Sequence, residues 1–76
     1  MCYSEEMFNL VFTFDPTDDF ADGLEEYLDL DAVSVNYGHH ITSVEFDMRN
    51  DEVGAHRLGK MITGSFPEID YYVKDM

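Results

Sequence analysis

Basic side chains are nearly missing from this chain. Four Lys and Arg stand against 17 Asp and Glu, a formal charge of −13 over 76 residues. Charge of that size repels phosphate backbones and anionic headgroups, which disfavours direct contact with nucleic acid or an anionic membrane. The expected partner is basic. Cysteine is scarcer still: Cys2 stands alone, so no internal disulfide can form, and no Cys-x-x-Cys or Cys/His spacing suits zinc. No apolar run approaches the ~20 residues of a membrane span, and Glu5 and Glu6 stand where a secretory leader carries positive charge. A cytoplasmic protein is expected. Proline occurs only twice, while 45% of residues are hydrophobic and 14% aromatic, which is too apolar for a disordered acidic tail. A chain this short buries only ~60% of its unfolded surface, so a single domain spanning 1–76 with one thin core is expected. Large catalytic scaffolds are excluded, and no enzyme is expected.

The acidity that is present is unevenly placed. Residues 1–48 hold twelve acids and no Lys or Arg, whereas residues 49–76 set five acids against Arg49, Arg57, Lys60 and Lys74. Eight of the acids fall within residues 15–31, where self-repulsion weakens a fold unless solubility or a partner makes use of it.

Hydrophobic periodicity sets out the elements. Phe8, Leu10, Phe12 and Phe14 alternate with Met7, Asn9, Val11 and Thr13, the pattern of a strand with one strongly apolar face. Asp15-Pro16 then reads as an N-cap followed by proline at the first helical position. Phe20, Leu24, Tyr27 and Leu28 lie on one face of the resulting helix, which ends near Leu30-Asp31. Residues 32–37 and 42–48 alternate as two strands, with Val33, Val35 and Tyr37 on one side of the first and Val44, Phe46 and Met48 on one side of the second. Gly38-His39 supplies the positive φ of a tight turn between them. Asn50 caps a second helix with Ala55, Leu58 and Ile62 inward, weakened by Gly54 and Gly59 and stopped by Gly64. Ile69, Tyr71 and Val73 face inward from a last short strand. The order strand, helix, strand, strand, helix, strand predicts an α+β, ferredoxin-like βαββαβ two-layer sandwich: an antiparallel four-stranded sheet with both helices on one face. The other face, with Asn9, Val11, Thr13, Ser34, Asn36, Ser43, Glu45, Asp47, Tyr72 and Lys74, is polar enough to meet water. A meander with the last segment unpaired is the alternative.

On such a first helix Asp18, Asp22, Glu25 and Asp29 recur at +4, +3 and +4 and share one line, with Asp19 and Glu26 beside them. At ~1.5 Å rise per residue the row covers roughly 16 Å. Its charges then imitate a run of backbone phosphates, and a groove of Lys and Arg built for nucleic acid accepts it in their place. Glu45 and Asp47 are the supporting acids. The bland reading is a solvated helix face, but the lack of Lys at i+4 counts against it, since mixed charges serve solubility as well.

Other constellations carry less. Asp18-Asp19-Phe20-Ala21-Asp22 matches the D-D-x-x-D pattern of prenyl-transferring enzymes, which need a large helical cavity that 76 residues cannot build. Gly23 lacks the alternating acids of an EF-hand loop. His39, His40 and His56 have no third ligand at a useful spacing, and Cys2 falls at a terminus, so neither a metal, a cofactor nor a nucleophile is expected. Tyr3 and Tyr72 point outward as candidate interface anchors.

In size, charge and expected fold the whole chain resembles the small acidic phage-encoded inhibitors of host defence, notably anti-CRISPR proteins and other DNA mimics. Those proteins share no sequence motif, so the resemblance is one of character. It implies a non-enzymatic inhibitor that binds a basic nucleic-acid-binding protein or effector complex, such as a CRISPR effector, in the host cytoplasm. Two alternatives stay open: a small-ligand regulatory domain similar to ACT modules, and an acidic domain adapted to high salt. The first lacks a glycine in the Asp15-Pro16-Thr17 turn to let a ligand approach the backbone, and the second should spread its acids over the entire surface.

Overall fold

The computed structural model describes residues 7–75. Cys2 and Tyr3 therefore lie outside the described residues. Strand β1, Phe8–Phe14, leads through a turn to helix α1, Ala21–Leu28, then to the β2 and β3 hairpin, Ser34–Tyr37 and Thr42–Arg49. Helix α2, Glu52–Ser65, and strand β4, Asp70–Asp75, complete the chain. The four strands form one antiparallel sheet in the order β2-β3-β1-β4. This is the expected ferredoxin-like α+β sandwich, and the last segment is paired, against the meander alternative.

Register explains the core. Leu10, Phe12 and Phe14 of β1 lie opposite Phe46, Val44 and Thr42 of β3, and Leu10 and Phe12 lie opposite Val73 and Tyr71 of β4. Ala21 and Leu24 of α1 and Ala55 and Ile62 of α2 bury against this same sheet face, with Phe12 and Phe46 meeting edge to face at 6.0 Å. The opposite face is not uniformly wet. Val11 is 2% exposed and Asn9 8%. Both sit in the middle of the sheet, where Glu45 and Tyr72 flank Val11, and Asp47 and Lys74 flank Asn9. The long side chains of Glu45, Tyr72 and Lys74 close over these short central ones.

Several boundaries move from their expected places. α1 begins at Ala21, not at Pro16, because the Asp15 carboxylate accepts from the Thr17 N–H and hydroxyl at 2.9 and 2.7 Å and the Asp18 N–H bonds the Asp15 carbonyl at 2.9 Å. Asp at the first and Pro at the second position is equally the signature of a type I turn, and here the turn wins. Phe20 closes the gap by stacking edge to face on Phe14 at 5.3 Å. At α2 the cap is Asp51, one residue later than expected, accepting from the Gly54 N–H at 2.9 Å. Gly64 does not stop α2. The helix runs on to Ser65, and the Phe66 N–H satisfies the Ile62 carbonyl.

The hairpin also differs, since no glycine has positive φ. Tyr37 pairs with Thr42, and the Gly38 N–H donates to the Ile41 carbonyl at 3.0 Å, leaving His39-His40 as the turn. A Cβ on Gly38 would lie 2.5 Å from the Ile41 oxygen, so close backbone approach explains this glycine. Gly59 has a similar reason. A Cβ there would lie 2.3 Å from the Tyr71 ring, so the residue that weakens α2 as a helix also lets it settle on β4.

Candidate functional site

The short α1 redistributes the acidic row. Asp18 and Asp19 lie in the turn before the helix, so no single helical line runs from Asp18 to Asp29, and the expected 16 Å ridge is replaced by a shorter cluster. The D-D-x-x-D pattern is split in the same way, with Asp22 alone of its three acids inside the helix. Asp22 and Glu26 project to solvent from α1. Asp29 ends it in the left-handed region at φ 55°, a conformation Asp tolerates better than most residues. The Asp29 and Leu30 N–H groups turn back to the Glu26 and Glu25 carbonyls at 3.3 and 3.2 Å. That reversal brings Asp31 beside the helix.

Asp22, Glu25, Glu26, Asp29, Leu30 and Asp31 together line an open depression of about 430 Å³. Glu25 has a second task. Its Oε2 accepts from the Ala32 N–H at 3.0 Å, which ties the segment after α1 to the helix and leaves the side chain half-buried. Of the acids expected on the leading line, Asp22 and Asp29 stay exposed, Asp18 is half-buried, and Glu25 belongs partly to the fold. Asp31 joins the group through the left-handed turn at Asp29, for which an Asp without a following glycine is a weak signal.

Glu45 and Asp47 are not part of this cluster. They alternate with the buried Val44 and Phe46, so they project from the sheet face opposite the helices. Glu45 accepts a hydrogen bond from the Asn9 amide nitrogen and lies 4.0 Å from the Lys74 ammonium. Its charge is already answered. Asp47 accepts from the Arg49 N–H at 2.9 Å where β3 bulges at its end, with Arg49 at φ 54°. The eight acids singled out by sequence are therefore dispersed: Asp22, Glu25, Glu26 and Asp29 are grouped at α1, Asp18 and Asp19 lie in the segment before it, and Glu45 and Asp47 are on the open sheet face.

Among the described residues the Lys74 and Glu45 contact is the one ion pair, so the acids around α1 have no cation partner among them. Arg57 and Lys60 sit on the outer face of α2 with Val53 and His56, around another open depression of about 500 Å³. His56 Nδ1 lies 3.0 Å from the Tyr71 hydroxyl, and His39 and His40 are exposed in the hairpin turn. Among the described residues no three His, Cys, Asp or Glu side chains are placed to hold a metal, and no helix is long and apolar enough to cross a membrane. Tyr72 is 52% exposed on the open sheet face, as its alternation requires. Asp15 is the acid with a clear shift: the Thr17 N–H, then the Thr17 hydroxyl, hold its carboxyl below the ordinary value of 3.8.

No family model, curated protein or solved structure matches the chain.

Proposed function

We propose that the protein is a non-enzymatic inhibitor that occupies the nucleic-acid groove of a basic protein or effector complex, such as a CRISPR effector, by presenting acids in place of phosphates. The observation that carries this reading is the unpaired acidic surface at α1. Asp22, Glu26, Asp29 and Asp31 surround an open depression, Asp18 and Asp19 extend the acidity toward the preceding turn, and no Lys or Arg occurs in residues 1–48. Such a surface repels nucleic acid and attracts what binds it. Each exposed ion pair is worth only ~0.2–1 kcal/mol, so affinity has to come from several pairs engaged together in one groove. The left-handed turn at Asp29 helps by placing acids on two sides of a hollow, which a cationic side chain can enter and meet more than one carboxylate.

The test is competition. A CRISPR effector complex, and separately an unrelated nucleic-acid-binding assembly, are loaded with fluorescent duplex DNA and titrated with the full chain at low and at physiological salt. The proposal expects displacement from at least one of them, weakening steeply as salt rises because ion pairs drive it. Displacement that ignores salt, or binding that leaves DNA in place, counts against mimicry. An acidity serving only high-salt adaptation gives no displacement from either and a fold that is lost at low salt.

A further inference from the structure

Helix α1 has little of its own to hold it together. It is eight residues long, whereas an isolated helix below ~12–15 residues is marginal in water. Phe20 at its N-cap offers no side-chain acceptor, Gly23 sits in its first turn, and no basic residue closes its last turn. Its carboxylates also oppose one another. Asp22 with Glu26 and Glu25 with Asp29 stand at i and i+4, Asp22 with Glu25 and Glu26 with Asp29 at i and i+3, and Asp31 turns back to the same depression. Only Asp22 gains from the helix dipole, because Glu25, Glu26 and Asp29 crowd its negative end. α2 is the contrast, with fourteen residues, an Asp51 cap bonded to the Gly54 N–H, and Ala55, Gly59 and Ile62 buried.

We propose that α1, with its flanks from Asp18 to Asp31, opens as a unit while the sheet and α2 stay folded, and that repulsion among its own carboxylates sets how often it opens. The contacts divide that way. α1 is tied down by the burial of Ala21 and Leu24, by the Glu25 Oε2 bond to the Ala32 N–H at 3.0 Å, and by Phe20 and Tyr27 against Phe66 at 6.0 and 6.1 Å. Phe12, Val44, Phe46, Ala55 and Ile62, all fully buried, belong to β1, β3 and α2. Opening α1 uncovers one side of that core but leaves β1 paired with both β3 and β4. Salt screens the repulsion and so closes α1, the opposite sign from its effect on ion pairs with a basic groove. The device lies in the surface proposed above as the inhibitor's, yet it operates in the free chain and holds whether or not that function does.

Native-state hydrogen exchange of the full chain, read residue by residue by NMR at low and high salt, tests this. At low salt the Tyr27 and Leu28 amides of α1 should be protected at least about tenfold less than those of Phe12 and Val44, through an opening that depends only weakly on denaturant. Rising salt should slow exchange in α1 by a larger factor than in β1, narrowing the gap. Glu26→Gln with Asp31→Asn should slow α1 exchange about threefold at low salt and weaken its salt response. Glu68→Gln with Asp70→Asn, an equal change in net charge on exposed acids elsewhere, should leave the ratio of α1 to β1 exchange as it is. Gly23→Ala should slow α1 at every salt concentration with the salt response intact, since it acts through propensity and not charge. α1 amides that exchange only together with β1, in one global event, overturn the proposal. So does an α1 whose protection relative to β1 ignores salt, or a control pair that acts as strongly as Glu26 and Asp31.

Discussion

Phe12 is wholly buried at the crossing of β1 with β3 and β4, packed edge to face on Phe46, whereas Asn36 on β2 projects into water. Phe12→Ala leaves a cavity in the single thin core between sheet and helices, at a cost of about 3–5 kcal/mol, enough to unfold a small domain. Asn36→Ala should leave a thermal melt nearly unchanged, and equal losses at the two positions would show that the strand faces are reversed. Asn9 is a subtler case. It was expected on a wet face, yet it is buried, because it bonds Glu45 on one flanking strand and lies opposite the long Lys74 on the other. Asn9→Ala removes the donor to a mostly covered carboxylate and should cost about 1–3 kcal/mol by denaturant titration. At Asp15 the direction of the pKa shift fixes a pH dependence. The folded value is lowered, so the stabilising effect of the Asp15 turn is complete above 3.8 and is lost as pH falls through the lower folded value. Thr17→Val removes the hydroxyl donor and keeps the N–H, so a carbon-13 titration of the Asp15 carboxyl should show its midpoint move part of the way back up.

Among the elements, glycine gives the sharpest contrast. Gly23 of α1 has nothing within 4 Å of where a Cβ would stand, whereas at Gly59 of α2 the Tyr71 ring occupies that space. Gly23→Ala should therefore stabilise by about 0.5–1 kcal/mol through helix propensity. Gly59→Ala has the same propensity gain but should destabilise by about 1–3 kcal/mol, as the ring is forced off the helix. Melting temperatures that move the same way for both would contradict the close packing of α2 on β4. Strands and α2 were legible from the sequence because alternation in β1 and β3, and the spacing of Ala55 and Ile62, reflect the core directly. The start of α1 was not. Asp15-Pro16 serves a helix cap and a type I turn equally well, and the choice depends on Phe20 reaching Phe14, a contact between elements that no local pattern encodes. The Gly38 turn was displaced for a related reason, since a steric need for glycine reads the same in sequence as a need for positive φ.

Across the whole molecule, the sequence shows how much acid there is and in which half, but the grouping of that acid depends on the fold. Asp18 through Asp29 were expected as one ridge, with Glu45 and Asp47 in support. The fold instead shortens the ridge, turns Glu25 back to Ala32, recruits Asp31, and sends Glu45 and Asp47 to the opposite sheet face. Asp51, a natural control from the balanced half, caps α2 and is unsuitable for that purpose. The most direct measurement of the central claim compares DNA displacement from the target by two variants. One carries Asp22→Asn, Glu26→Gln, Asp29→Asn and Asp31→Asn around the α1 depression; the other carries Glu68→Gln, Asp70→Asn and Asp75→Asn, exposed acids elsewhere. The first should remain folded, since relieving repulsion favours α1, and should lose at least tenfold in displacement together with most of its salt dependence. The second should compete nearly as well as wild type. Equal competition by both variants, with unchanged salt dependence, would contradict mimicry through the α1 surface.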